Sequence, residues 1–422
     1  MRTTKDFPRK QSSWEPATVL MVLAASLVLG FVFASTVGAA GKYRTLHRFR
    51  SGEAGSRPFS TLLFDSMGNL YGTGTGGNRK FCWGQGCGVV FELIPDGNGG
   101  WRKQVIYSFN GEDGFGPNPG LVFDSVGDLY GTTVFGGAFG GGAVFELTPQ
   151  GDGSWKEKVL HSFLNRDGYL PDAGVILDSS GNLYGTTGAG GDLSYCTGYG
   201  CGVVFELTPK AGGGWTESVL HEFTGASDGD DPQASLIFDQ SGNLYSTTSE
   251  GGAYGNGTVF ELTRRSGGGW REIVLHSFNA SDGSYPDTGL ILDSTGNLYG
   301  ATAYGGAYDA GTAFEITRDE AGRWKEKLLH IFNGIPNGPL VFDVGGSLYG
   351  TTYAGGGDGC GTVFRLQPNA SGGWEETVLH SFTGHPGCHP FSGLTIARSG
   401  NLYGTTFGDG KTTFGSVFEI SP

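Results

Sequence analysis

The chain has 422 residues, length enough for two or three ordinary domains. Its 80 glycines would suggest disorder, but 13% aromatic residues and glycines recurring at a fixed period exclude it. They also exclude a helical protein, since glycine costs about 1 kcal/mol relative to alanine in a helix interior. With 27 basic against 41 acidic residues, the net charge of −14 argues against nucleic acid and anionic membrane surfaces as partners.

The first element is a targeting segment. Arg2, Lys5, Arg9 and Lys10 precede an apolar run without charge from Ala17 to Ala34, and the small residues Gly38, Ala39 and Ala40 follow. A basic start, an apolar stretch and a small-residue exit read as a secretory signal. The run is also long enough for a retained N-terminal anchor. Either way, residues 1–40 direct the rest of the chain across a membrane. The expected location is extracellular, at the cell surface or in the periplasm.

From residue 41 onward one motif repeats seven times. Its mark is Gly-Asn-Leu-Tyr-Gly-Thr-Thr and variants, with the tyrosine at Tyr71, Tyr130, Tyr184, Tyr245, Tyr299, Tyr349 and Tyr403. A β-branched run ending in Asp precedes most copies, as at Leu236 to Asp239. A Val-Phe-Glu-Leu segment follows, then a Gly-rich turn, a Trp and a Val-Leu-His-Ser-Phe segment. All four segments are short, rich in β-branched and aromatic residues, and bounded by turn formers, so each reads as a strand. Four strands about every 55 residues predict an all-β fold, a seven-bladed β-propeller of four-stranded blades. We label the strands A, B, C and D in chain order. The A–B link, Asp-Ser-x-Gly-Asn, predicts a tight turn with the Asp accepting turn amides.

The ends of the repeat predict how the ring closes. Residues 46–49 are a D strand with no A, B or C before it, and residues 416–419 are a C strand with no D after it. The N-terminal strand should therefore complete the seventh blade and leave no open edge. Residues 41–422 are expected to form this single domain.

These segments, LYGTT, VFELTP and VLHSF, resemble the Gloeo–Verruco (GloVer) tandem-repeat proteins, the "choice-of-anchor" group of bacteria. The resemblance spans residues 43–422. It implies an exported repeat protein, often held at the surface by a C-terminal anchor, and brings no catalytic residues. The sequence runs to Pro422 without such an anchor, so attachment would fall to the N-terminal segment.

Several motif matches carry no chemistry. Gly225 to Gly229 matches G-x-S-x-G but lies between strands, where that motif needs a strand-to-helix turn. Gly72 to Gly77 matches G-x-G-x-x-G without a following helix. Gly410 to Thr412 is the end of a P-loop alone. His47, His161, His221, His276, His330 and His380 share one repeat position on strand D, with Tyr107 in the seventh. Spread around the rim, they read as repeated hydrogen bonding, as do the strand C glutamates; Arg365 breaks the latter series.

The six cysteines, in an exported chain, predict disulfides. Cys82 and Cys87 share one B–C loop, and Cys196 and Cys201 another. Cys360 lies in a B–C loop and Cys388 in the next D–A loop, and both loop types emerge on one face. The expected bridges are 82–87, 196–201 and 360–388. His385 and His389 flank Cys388, so a zinc-like set with Cys360 is the alternative there.

That face is the candidate binding surface. Its B–C loops carry Phe81, Trp83, Phe135, Phe139, Tyr195, Tyr199, Tyr254, Tyr304, Tyr308, Tyr353 and Phe407. Its D–A loops add Asp113, Asp167, Asp228, Asp230, Asp231 and Asp282. Aromatic rings suit stacking on sugars, and carboxylates can accept their hydroxyls; calcium is a second possibility for the same oxygens. Residues that break the repeat carry more functional weight: Arg79, Lys80, Trp83, Asp230, His385, His389 and Lys411. The alternative is that the rings pack the loops onto the blades.

The expected function is a binding module for an extracellular glycan or envelope protein. The rivals are a ligand-free structural surface protein and a propeller hydrolase or lyase acting on a carbohydrate or lactone. An enzyme would place non-repeated acids or histidines at the starts of the A strands. There the sequence has Gly120, Gly174, Ser235, Gly289 and Gly393, which offer little.

Overall fold

The computed structural model describes residues 41–77, 82–84, 86–118, 120–385, 387–409, 411 and 413–422. Residues 1–40, the expected signal or anchor, lie outside it. Among the described residues no helix is long and apolar enough to cross a membrane.

Seven antiparallel sheets form a ring, the expected seven-bladed β-propeller. Blade 3 is representative: Ile176–Leu177, Leu183–Thr187, Val203–Pro209 and Trp215–Glu222 are its strands A to D. Blade 2 adds a short strand, Phe115–Pro117, that pairs with the same B strand as its A strand does. In blade 7 the order is Thr395–Ile396, Leu402–Thr406, Ser416–Ser421 and then Lys42–Arg48. The N-terminal strand thus supplies the outer strand, paired from Lys42 opposite Ser421 to Arg48 opposite Ser416 with one register shift between Thr45 and His47.

The motif explains itself in the packing. Between blades 2 and 3, Tyr130 and Val144 of one blade meet Val175, Leu183, Val203, Phe205 and Leu207 of the next, all buried. The Gly of Leu-Tyr-Gly makes room for the Phe of Val-Phe-Glu-Leu. A Cβ on Gly185 would lie 2.5 Å from Phe205 Cζ. The A–B turns of blades 1 to 6 are closed by their Asp, where blade 7 has Ala397; Asp178 Oδ1 accepts from the amides of Ser180 (2.8 Å) and Asn182 (2.9 Å).

Two regularities were not legible in the pattern. The C–D pairing shifts register just before the His position, as at Val159/His161, so a β-bulge re-aims that side chain. Neighbouring blades are also tied near the axis by B-strand threonines. Thr132 Oγ1 donates to Ala173 O (2.7 Å) and Thr351 Oγ1 to Ser392 O (2.8 Å), each on the next blade. Thr405 Oγ1 donates to Ser60 O (3.3 Å) across the closure.

Candidate functional site

The repeated histidines and acids prove to be engaged within their own loops and blades. His161 Nε2 lies 3.0 Å from Asp167 Oδ2, and Tyr107 donates to Asp113 Oδ2 at 2.6 Å in the one blade with tyrosine. Asp228 accepts from the Thr224 amide (2.9 Å) and hydroxyl (2.6 Å), with His221 at 3.8 Å. Asp282 holds Asn279 in the same way. These carboxylates fold their own D–A loops. Strand C glutamates accept the B-strand tyrosines, as from Tyr71 to Glu92 at 2.7 Å. Arg365 breaks the series, and Tyr349 donates to Asp343 instead, at 3.1 Å.

All three expected disulfides form: Cys82–Cys87, Cys196–Cys201 and Cys360–Cys388. The third removes the zinc-like set, because neither sulfur is left as a thiolate. His389 stacks on Tyr353 at 4.4 Å with Nδ1 3.0 Å from the Tyr353 carbonyl, and His385 meets the Arg48 guanidinium. Asp230 Oδ2 sits 3.1 Å from Cys196 Sγ, beside the second bridge.

Of the loop residues singled out, Phe81, Arg79 and Lys80 lie outside the described residues. Trp83 belongs to a short 3-10 turn, Cys82–Gly84, whose tryptophan side chain is likewise not described. Tyr195, Tyr199, Tyr254 and Tyr308 stand exposed on their loops, Tyr199 at 71%, with no ring partner among the described residues. Tyr304 meets Tyr285 edge-on at 5.7 Å. Packing onto the blades therefore does not account for these rings. Lys411 is exposed, its amide bonded to Asp409.

The face has a second, more central ring of residues around a proline on every D–A loop. The residue before the proline is Arg57, Gly116, Leu170, Asp231, Tyr285, Ile335 or His389; the residue after it is Phe59, Asn118, Asp172, Gln233, Asp287, Asn337 or Phe391. The backbone is left-handed at Arg57, Leu170, Asp231, Tyr285 and His389, with φ between 54° and 59°. Each of these five amides donates to a carbonyl of the preceding blade, as Leu170 to Gly141 at 3.0 Å. Such strained positions persist where surrounding structure holds them, and they gather at binding sites. The framework repeats while the side chains do not.

This ring is polarised. Over blades 7, 1 and 2 it forms a cleft of about 410 Å³ lined by Arg57, Phe59, Phe115, Phe135, Phe407 and Phe414. The Arg57 guanidinium lies 5.9 Å from the centre of the Phe407 ring and has no carboxylate partner among the described residues. Over blades 3 to 5 the ring is acidic. Burial pushes the Asp172 carboxyl up to about 7, helped by the charge of Asp231. Burial likewise raises Asp231 and Asp287 to about 6.

Sequence reasoning misses Asp172 and Asp287, although each lies two residues before a glycine that opens an A strand. The signal is there in the repeat: one position varies freely between neighbours that do not. The glycines themselves close the channel lining. A Cβ on Gly174 would lie 2.4 Å from Gly120 Cα.

A ring of four-stranded blades closed by its first strand defines the class, a seven-bladed propeller. The Gloeobacter/Verrucomicrobia repeat family matches residues 25–199 and 274–422. The chain belongs to that family. No curated protein matches it. Among solved structures, it is similar to the extracellular domain of a one-component-system protein from B. thetaiotaomicron, with TM-score 0.53, 12% identity, and coverage of 89% of this chain and 40% of that one. It is also similar to a luciferin-regenerating enzyme (TM-score 0.45, 11% identity, 90% and 95% covered). A third is a gluconolactonase from Xanthomonas campestris (TM-score 0.42, 14% identity, 90% and 89% covered). At these identities the likeness is one of fold.

Proposed function

We propose that this protein is an exported propeller that binds an extracellular glycan at the centre of its B–C/D–A face. The observation that carries this reading is the cleft over blades 7, 1 and 2. Its volume is within the range of small-ligand sites, and its phenylalanine rings offer faces for stacking. Arg57, without a carboxylate partner of its own among the described residues, suits an acidic group such as a uronic acid carboxylate. Exposed tyrosines farther out, Tyr199, Tyr254 and Tyr308, extend the surface for a longer chain. The rigid blades hold the loops. Three disulfides agree with an oxidising compartment.

The test is a pull-down of the purified protein against insoluble neutral and acidic polysaccharides and envelope fractions, with supernatants assayed for released reducing sugar. Retention on acidic polysaccharide, weakened about tenfold by Arg57→Ala or Phe135→Ala, is the expected result (about 1.4 kcal/mol). Release of sugar would assign the hydrolase or lyase reading. Retention only on envelope protein, or none at all, would refute glycan binding.

A further inference from the structure

We propose that the acidic side of this ring is a binding site for a hard divalent cation of the calcium kind, held by Asp172, Asp231 and Asp287. The three come from the consecutive D–A loops of blades 3, 4 and 5. They are not a feature of the repeat: the other residues after the proline are Phe59, Asn118, Gln233, Asn337 and Phe391, and Asp231 is the one acid before it.

Two of the carboxylates converge over a position that has been cleared for them. A Cβ on Gly188 would lie 2.5 Å from Asp231 Oδ1 and 3.0 Å from Asp172 Oδ2. Those two oxygens are thus no farther apart than these distances laid end to end. Two oxygens bound to one calcium ion stand up to about 5 Å apart, given metal–oxygen distances near 2.4 Å. The other blades carry Thr75, Val134, Ser249, Ala303, Tyr353 and Phe407 where blade 3 has Gly188. Blade 3 alone leaves that space to the acids.

Two buried oxygens on these loops and the strand beside them lack partners. Asp287 Oδ1 is shut off from solvent and has no hydrogen-bond partner among the described residues. The same holds for Oγ of Ser249, a buried residue whose amide donates to the Asp231 carbonyl at 3.0 Å. Buried polar atoms are nearly always satisfied, so an orphaned carboxylate oxygen within reach of the Asp231 charge marks a missing positive ligand. The chain does not supply it: no basic side chain is among the groups acting on Asp172, Asp231 or Asp287. Gln233 Nε2 donates to Asp231 Oδ2 at 2.6 Å and leaves Oδ1 directed at the cleared space. The donor set is all oxygen, which selects calcium over softer metals. Asp172 and Asp231 act as direct ligands, and Asp287 reaches the ion through bound water.

Cys196, Cys201 and Asp230 also cluster at metal-ligand distances, but their sulfurs are joined in a disulfide. The cation site does not depend on glycan binding, because the aromatic cleft is built on other blades.

The experiment is calorimetric titration of calcium into the chelator-treated, purified protein, with magnesium as the comparison and the melting temperature recorded alongside. One calcium per chain, a melting temperature that rises with calcium, and affinity reduced at least about tenfold in Asp172→Asn and Asp231→Asn are expected. Gly188→Ala places a methyl group where the oxygens converge and should weaken calcium while leaving retention on polysaccharide intact. It also serves if an asparagine variant fails to fold. No heat and no change in melting temperature up to about 10 mM calcium would overturn the proposal, as would unchanged affinity in both asparagine variants and in Gly188→Ala.

Discussion

The ring of Tyr43, on the N-terminal strand, stacks on the ring of His380 in blade 6 at 4.1 Å and within 9° of parallel. At this place in the other outer strands stand Lys103, Glu157, Glu217, Glu272, Glu326 and Glu376. There the partner is met by charge or hydrogen bonding; Glu376, for example, lies 3.2 Å from His330. Among the described residues, the joint between blades 6 and 7 is thus the one rim joint built on ring stacking.

Tyr43→Ala should accordingly lower stability by about 2 kcal/mol, through lost stacking and lost burial, while Tyr43→Phe should be nearly neutral. Denaturant midpoints of the two variants check this. A chain lacking residues 41–48 leaves the Ser416–Ser421 edge unpaired and should aggregate, which size-exclusion chromatography would show.

The tyrosine–glutamate bonds inside the blades should matter unequally. Tyr245 donates to the buried Glu261 at 2.7 Å, so Tyr245→Phe leaves a buried carboxylate short of a donor and should destabilise by about 2 kcal/mol. In blade 6 Arg365 replaces the glutamate, and Tyr349 donates to the turn acid Asp343. Tyr349→Phe should be milder, at about 1 kcal/mol. Equal losses in urea denaturation would contradict this account.

The outer rim should make stability depend on pH. Burial raises the carboxyls of Glu157, Glu217, Glu272 and Glu326 to about 7 from an ordinary 4.5, against Asp113, His161 and Asp167, Asp228, and His276 and Asp282 respectively. One oxygen of each glutamate is buried without a partner among the described residues. An acid whose folded value is raised stabilises the fold fully below its unfolded value, and that contribution is lost as pH climbs toward and past 7. Half-buried His47, His221 and His380 have values lowered by desolvation and act oppositely, losing their contribution as pH falls below 6.5. Glu217→Gln, Glu272→Gln and Glu326→Gln combined should isolate the acid part. Thermal melts should show the variant more stable than the parent at pH 8 and matching it at pH 5. A difference independent of pH would show that these carboxyls are already charged in the fold.

The disulfides should rank by the chain they enclose. Cys360 and Cys388 are 28 residues apart, and Cys82 and Cys87 only five. Replacing the first pair by serine should lower stability by about 3.5 kcal/mol and the second by about 2 kcal/mol, from loop-closure entropy in the unfolded chain. Thermal melts of the two double-serine variants give the order directly.

The amino-acid sequence by itself determines whatever the repeat enforces seven times over. Strand type, blade number, closure through residues 42–48 and all three disulfides follow from period-two patterning, turn residues and the rule that a sheet edge must be covered. Those constraints are local or follow from the order of strands, so the chain states them by itself. Tertiary structure alone decided what the loop residues do. Asp228 and Asp282 look like ligands for sugar or metal in the sequence, yet each is consumed within its own turn. Asp172 and Asp287 look like loop filler, yet with Asp231 they bring like charge to one side of the ring. Arg57, Phe135 and Phe407 belong to three different blades and become one cleft. The distances between such groups are set by how blades pack around an axis, through contacts such as Thr132 with Ala173 and the space above Gly188. No spacing along the chain encodes them.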